Sequence, residues 1–324
     1  MDKVRFGIIG LGSEGKKHAQ RLLNAEVKDA VLSAVYDIEP SCLQWLKDED
    51  EVRIFSSTAE MLKSGEVDAL LVATPHYLHP PIALEAFSRG LHVMIEKPAG
   101  VYTKQVREMN EALTDSGLTF GIMYPHRLDK SLKRIHKKVS SGKLGEIRRT
   151  NWYYSAPYNA EGWRSTWKGS GGGILLNTGI YVLDIWQWVC GMPSKVTAFC
   201  HMGKHQNIQV EDDVTAYAEY PNGATGVFVA GTDPVAANRF EIIGESGKLV
   251  YDKVLSSDSS GCKDVLDAFV SKIIGKKAEY PQGEEGINGL MLANAMLLST
   301  WLGKTIPLPL DEELFLSELQ KKYV

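Results

Sequence analysis

Cysteine is scarce in this chain of 324 residues: Cys42, Cys190, Cys200 and Cys262 are scattered, with no CxxC pair. That spacing excludes a zinc ribbon and a disulfide framework. Long apolar runs are missing too, since none approaches the roughly 18 residues that a membrane helix requires. Charge of one sign is absent: 36 Lys and Arg stand against 40 Asp and Glu, net −4, without a basic block. The electrostatic footprint of a nucleic-acid binder is therefore lacking. Neither an internal repeat nor a low-complexity tract is present. The apolar stretch Val4 to Leu11 has only Lys3 as a preceding cation and runs at once into Gly12-Ser13-Glu14-Gly15-Lys16-Lys17, so it reads as a buried strand entering a loop and not as a leader. Residence in the cytoplasm is the expectation.

What is present divides in two. Through residue 124, short apolar runs (Val4 to Ile9, Ala30 to Tyr36, Val67 to Ala73, His92 to Glu96, Thr119 to Tyr124) alternate with amphipathic stretches such as Lys17 to Leu23 and Pro81 to Arg89. A parallel sheet buried on both faces requires that pattern, which predicts a doubly wound α/β domain over 1–124. From 125 to 324 the pattern predicts an α+β domain with a large, mostly antiparallel sheet. A helix over Leu128 to Val139 and a strand over Ile147 to Tyr154 come first. An aromatic loop (Tyr158, Trp163, Trp167), Gly171-Gly172-Gly173 and one helix over Ile174 to Val189 follow. Five strands then succeed one another between Lys195 and Tyr251, separated by turn chemistry at Pro221-Asn222-Gly223 and Gly244-Glu245-Ser246-Gly247, so neighbours should pair antiparallel. A C-terminal helix spans Gly286 to Leu302 and is a candidate to return to the first domain.

The strongest local signal is Gly10-Leu11-Gly12-Ser13-Glu14-Gly15, which follows a predicted strand and opens a predicted helix, with Asp37 closing the next strand 22 residues after Gly15. That context is the dinucleotide fingerprint: Gly10 for the tight turn, Gly12 for approach of the pyrophosphate, Gly15 for helix-to-strand packing. The helix start offers free N–H groups and a positive dipole end to phosphates. A carboxylate at Asp37 accepts bonds from a ribose diol and repels a 2′-phosphate, and no Arg or Lys stands close behind it, so NAD is favoured over NADP. Thr74-Pro75 and Glu96-Lys97-Pro98 end predicted parallel strands, where ligands of such sheets bind. His76 and His79 follow the first of these ends, where contact around the nicotinamide is preferred to a metal. The expected cofactor set is Gly10, Gly12, Ser13, Glu14, Gly15, Asp37, Thr74, Pro75, His79, Glu96 and Lys97, with no metal.

The fingerprint, Ala73-Thr74-Pro75, Glu96-Lys97-Pro98, and Gly171-Gly172-Gly173 with Asp184 eleven residues further on together resemble the Gfo/Idh/MocA oxidoreductases over essentially the whole chain. The resemblance implies a Rossmann domain and a sheet domain with substrate between them, Lys97 reaching the reacting carbinol, and a cis Lys97-Pro98 bond. It implies a small sugar or polyol as partner, while charge and run length leave neither nucleic acid nor membrane expected; strands Val214 to Tyr220 and Ala224 to Val229, with small and apolar residues on both faces, predict a homodimer or homotetramer, as the resemblance does. Many members carry Asp and His where this chain has Asn177 and Tyr181. Asn takes no proton, and Tyr has an ordinary pKa near 10. Their spacing of four puts both on one helix face, and Tyr181 remains a proton-transfer group if Lys97 lowers its pKa. Asn177→Asp is accordingly expected to keep activity.

Asn177, Asp184, Trp163, Arg164 and His126 are the candidate substrate contacts. For the tryptophans, packing or a subunit contact weighs equally; Asp184 could cap local structure, and Arg127 shares the position of His126. His201 and His205 read as solvent-exposed. The expected function is NAD-dependent oxidation of a secondary alcohol of a sugar, inositol or polyol. An NAD-retaining glycosidase and a redox-silent NAD-binding sensor are the alternatives.

Overall fold

Six short strands, β1 Val4–Ile9, β2 Ala30–Tyr36, β3 Arg53–Ile54, β4 Ala69–Val72, β5 His92–Ile95 and β6 Phe120–Ile122, form an all-parallel sheet in the order β3-β2-β1-β4-β5-β6. The structure, a computed structural model, describes residues 3–157, 160–204, 207–255 and 259–323. Helices α1 Ser13–Leu23, α2 Thr58–Lys63, α3 His79–Ser88 and α4 Thr103–Leu113 follow β1, β3, β4 and β5. Ala69, Leu70, Leu71 and Val72 are all fully buried, because a strand covered on both faces has no solvent side to alternate toward. The order is that of a doubly wound fold, whose ligands lie beyond the carboxyl ends of the strands.

The second sheet runs β12-β11-β7-β10-β9-β8-β13, from strands β7 Ile147–Ser155, β8 Lys195–Met202, β9 Glu211–Glu219, β10 Thr225–Gly231, β11 Ala237–Gly244, β12 Gly247–Asp252 and β13 Ile306–Pro307. Its helices are α5 Lys130–Ser140, α6 Trp167–Ser170, α7 Ile174–Asn177, α8 Gly179–Cys190, then, after α9 Ser259–Ile273, α10 Gly286–Leu302 and α11 Glu312–Gln320. One sheet face is core. Trp152 stacks on Phe240 at 4.1 Å and donates to Asn238 Oδ1 at 2.6 Å, while Trp186 stacks on Phe228 and donates to Thr150 Oγ1 at 2.8 Å. Both indole N–H groups are thus satisfied where burial would otherwise penalise them. The opposite face exposes Tyr153, Phe199, Tyr217 and Val227. At β8, α10 supplies hydroxyls to the strand edge: Ser299 Oγ accepts from Ala198 N, and Thr300 Oγ1 accepts from Cys200 N.

Three expectations change. The turn signals fix β9–β10 and β11–β12 as antiparallel, but β10 also pairs with β7 in parallel, Thr225 opposite Arg149 through Gly231 opposite Ser155. The helices between β7 and β8 make a crossover that no local turn encodes. The single helix expected over Ile174 to Val189 is two, broken at Thr178 (φ −126°, ψ −37°). Gly179 allows the break, since a Cβ there would lie 2.9 Å from the Ile174 carbonyl oxygen. Finally, the chain does not divide at one point. One unit comprises 1–100, 105–125 and 258–285, the other 101–104, 126–257 and 286–324. The segment that rejoins the first unit carries α9, whose Phe269 ring lies 6.3 Å from Phe6; the C-terminal helix α10 stays with the second.

Candidate functional site

The loop after β1 is shaped by backbone crowding. Gly10 has φ +90°, and a Cβ there would come within 2.6 Å of the Ala73 carbonyl oxygen; at Gly15 it would come within 1.8 Å of the Gly10 oxygen. Gly12 differs, because a Cβ there meets nothing within 4 Å. Gly12 is also the N-cap of α1 and brings no side-chain cap, leaving the first turn's N–H groups to a ligand or water. Ser13 is exposed, and Glu14 pairs with Lys17 at 2.7 Å. Asp37 Oδ2 accepts from Leu11 N at 2.5 Å and Oδ1 from Glu39 N at 2.8 Å, so the loop backbone holds the carboxylate in one orientation. At the end of β4, Thr74 Oγ1 is buried without a hydrogen-bond partner among the described residues. An open glycine, an uncapped helix start, an oriented carboxylate and an orphaned hydroxyl together fit a dinucleotide.

Further along the same sheet, His79 presents both ring nitrogens to carbonyl oxygens, Nδ1 to Pro98 at 2.8 Å and Nε2 to Thr74 at 2.7 Å. Burial draws its pKa below the usual value while the two carbonyls pull the other way. The ring thus ties the end of β4, beside Pro75, to the segment after β5, and neither nitrogen is directed to a metal. The Lys97-Pro98 bond is cis, as the resemblance implied, and Lys97 is half-buried. Glu96 is buried: Oε1 lies 2.8 Å from His18 Nε2, and Oε2 accepts from Lys97 N at 3.2 Å. His18, buried on α1, belongs to none of the motifs that the sequence shows.

In the second unit, the three glycines are packed against protein. A Cβ at Gly173 would lie 1.8 Å from the Glu211 carbonyl oxygen, and one at Gly171 (φ +75°) 2.0 Å from Val101 Cγ1. Asn177 is buried and donates Nδ2 to the Gly173 oxygen at 2.8 Å and the Gly172 oxygen at 3.3 Å. Two carbonyl acceptors dictate which end of the amide faces them. Because of the break at Thr178, Asn177 and Tyr181 do not share one continuous helix, and Asn177 is a brace for the glycine segment. Glu211, also unforeseen, accepts from Leu175 N at 3.1 Å, while its Oε2 has no partner among the described residues. Burial pushes its carboxyl up to about 7.

Tyr181 is half-buried on α8 and meets the ring of His126 edge-on, centroids 5.1 Å apart. Burial draws the His126 pKa down to about 4 against the pull of Asp129, so the ring is neutral at pH 7. Next to it, Arg127 forms a buried two-pronged pair with Asp184, Nε to Oδ2 at 2.8 Å and Nη2 to Oδ1 at 2.6 Å, and Gln187 adds a third donor at 3.3 Å. Asp184 is 1% exposed, and its carboxylate is taken up by these donors. It anchors Arg127, whose side chain the spacing had left as an alternative to His126. The guanidinium of Arg164 lies over the Trp163 ring at 4.2 Å, both half-buried; Trp167 packs edge-on to Trp301 at 5.5 Å and belongs to the core. His201 is exposed beside Asp213, whereas Tyr158 and His205 lie outside the described residues. Among the described residues no helix is long and apolar enough to cross a membrane.

Comparison with known proteins agrees with both halves. Residues 4–124 match the oxidoreductase family with an NAD-binding Rossmann fold, and residues 132–250 match the GFO/IDH/MocA C-terminal domain. The trans-1,2-dihydrobenzene-1,2-diol dehydrogenase of Bos taurus is 27% identical over 75% of this chain and 72% of its own length. The D-glucoside 3-dehydrogenase of Escherichia coli is 26% identical over 94% of this chain and 97% of its own. Among solved structures, the WlbA dehydrogenase of Bordetella pertussis, in complex with NADH and UDP-GlcNAcA, superposes with a TM-score of 0.87 at 27% identity, covering 95% of this chain and all of that one. With an open dinucleotide loop, Glu96-Lys97-Pro98 and the glycine segment in place, the chain belongs to the Gfo/Idh/MocA family of NAD-binding oxidoreductases.

Proposed function

We propose that the protein is an NAD-dependent dehydrogenase for a secondary alcohol of a sugar, inositol or related polyol. Three relatives described above are dehydrogenases, two of them named for a diol and a glucoside and the third holding a nucleotide sugar. The observation that carries the reading is the phenol of Tyr181, half-buried against a neutral His126, in a chain that retains Lys97. When bound, NAD supplies a hydride acceptor at its nicotinamide ring. Tyr181 takes the carbinol proton, for which its pKa must be lowered by a cation, and Lys97 is the residue assigned to that task and to holding the developing alkoxide. Trp163 and Arg164 offer a flat, polar-edged surface suited to a sugar ring. Screening sugars and polyols for NAD reduction should find a turned-over alcohol. In that assay Tyr181→Phe should lose roughly two to four orders of magnitude in turnover with NADH binding retained, and Lys97→Ala at least as much. Near-normal turnover by Tyr181→Phe would move the proton-transfer role elsewhere. A wild type that binds NADH and oxidises no alcohol would overturn the reading.

We also infer a homodimer or homotetramer formed through the exposed sheet face, where Phe199 is 69% and Tyr153 46% accessible. An apolar face on an open sheet is stabilised by a partner surface. Light scattering should give a multiple of 35.8 kDa at micromolar concentration; the monomer mass would contradict it.

A further inference from the structure

Arg21, His18 and Glu96 form a buried polar chain that the proposed reaction does not use. Arg21 Nη1 lies 3.1 Å from His18 Nδ1, and His18 Nε2 lies 2.8 Å from Glu96 Oε1; the three residues are 5%, 0% and 6% exposed. A guanidinium only donates, so Nδ1 of His18 must be the acceptor, and the ring proton sits on Nε2 facing the carboxylate. The neutral ring therefore passes the preference of a buried cation to a buried anion, with each nitrogen in its required role. Glu96 uses its second oxygen on the Lys97 N–H at 3.2 Å. His18 stands in α1, the helix that begins at the open loop glycine, and Lys97 follows β5.

We propose that His18 is a positioning residue: by holding one carboxylate oxygen of Glu96 while the Lys97 backbone N–H holds the other, it lets the helix of the dinucleotide loop set the backbone from which the lysine extends. The catalytic consequence rests on the dehydrogenase reading above. Among the described residues the groups acting with Glu96 are His18 from α1, which Arg21 backs from the far side of the ring, His79 from α3, Lys97 on its own segment and the Cys262 thiol from α9. Burial works to raise the Glu96 pKa, and the His18 bond is the largest effect holding it below the ordinary carboxylate value. Without His18 the carboxylate stays buried and loses that donor, so burial raises its pKa in the folded state and the resulting loss of stability grows as pH rises.

The test compares wild type, His18→Leu, His18→Gln, Glu96→Gln and the double variant His18→Leu/Glu96→Gln, by thermal unfolding without cofactor at pH 5 and pH 8 and by NADH fluorescence titration. His18→Leu should unfold below wild type by a margin about 2–4 °C wider at pH 8 than at pH 5. Its Kd for NADH at pH 8 should rise about tenfold. Gln, whose amide offers a donor to Glu96 and an acceptor to Arg21, should restore most of both. The pH-dependent part should shrink in the Glu96→Gln background. A margin equal at both pH values, or unchanged by Glu96→Gln, would overturn the proposal. Should His18→Leu fail to fold, Arg21→Met keeps the ring and removes the donor that fixes its tautomer; an unaltered Kd for NADH would be equally fatal, against an expected rise of about threefold. Once an alcohol substrate is in hand, His18→Leu should lower kcat with KM for the alcohol within about twofold. Absence of any alcohol substrate would refute the dehydrogenase reading and leave the stability and NADH-binding results to decide the role of His18.

Discussion

The two glycine segments of this molecule have three glycines each, and they differ at one position. In the loop after β1, Gly10 and Gly15 are required by neighbouring backbone, but a side chain at Gly12 would meet nothing. In the segment before α7, Gly171 and Gly173 would each drive a Cβ to 2.0 Å or less from another atom, and Gly172 would meet Leu176 at 3.0 Å. The first loop leaves one position open, whereas the second is filled by its own protein. A glycine run is thus a binding signal only where the packing leaves space.

The largest expected effect tests that contrast directly. Gly15→Ala and Gly173→Ala both place a Cβ 1.8 Å from a backbone oxygen, and each should destabilise by more than about 3 kcal/mol or prevent folding, read by chemical denaturation. Gly12→Ala, at φ −61°, should stay within about 1 kcal/mol of wild type and weaken NADH binding at least about tenfold. A Gly12→Ala protein with normal NADH affinity would erase the difference between the loops.

Next in size is Asn177→Asp. The sequence suggested that this change would be tolerated, since many members resemble it, but the amide here donates to two carbonyl oxygens. A carboxylate in its place would face acceptors in a buried site, with a raised pKa. The loss should be roughly 1–3 kcal/mol at pH 8 and shrink toward pH 5, where a protonated Asp can donate once. Denaturant midpoints at the two pH values decide it, and equal stability would show that the segment needs no such brace.

The smallest effect concerns cofactor choice. Asp37 is oriented by two loop N–H groups, and in its expected role at the adenosine ribose its fixed charge repels a 2′-phosphate. NAD should bind at least tenfold more tightly than NADP, about 1.4 kcal/mol, and Asp37→Ser should narrow that ratio. Titration calorimetry with both cofactors measures it; equal affinities in the wild type would refute this assignment for Asp37.

Sequence was most legible where a local rule acts alone. β1, β2 and α10 fall on the residues expected, because buried parallel strands are continuous apolar runs and the helix keeps a 3.6 period. β3, with two residues, has no such pattern. The fingerprint glycines and Glu96-Lys97-Pro98 were visible as motifs, but the break that separates Asn177 from Tyr181 was not, since a spacing of four carries no sign of the turn at Thr178 or of the close approach of Gly179 to the Ile174 carbonyl oxygen. The capture of Asp184 by Arg127, 57 residues away, and of Glu96 by His18, 78 residues away, depends on topology that no spacing reports.

The return of residues 258–285 to the first unit bears on how the protein is made. A ribosome that has released only the first 125 residues has delivered every strand of the parallel sheet, yet not α9, whose Val265, Leu266 and Phe269 are fully buried. Domains usually mature in order of synthesis. Here the nucleotide-binding half must wait, incompletely covered, until the intervening strands β7 to β12 have been translated. The same order limits gene surgery: a fragment ending at residue 125 lacks that helix, whereas joining 258–285 to it by a designed linker would supply the missing cover.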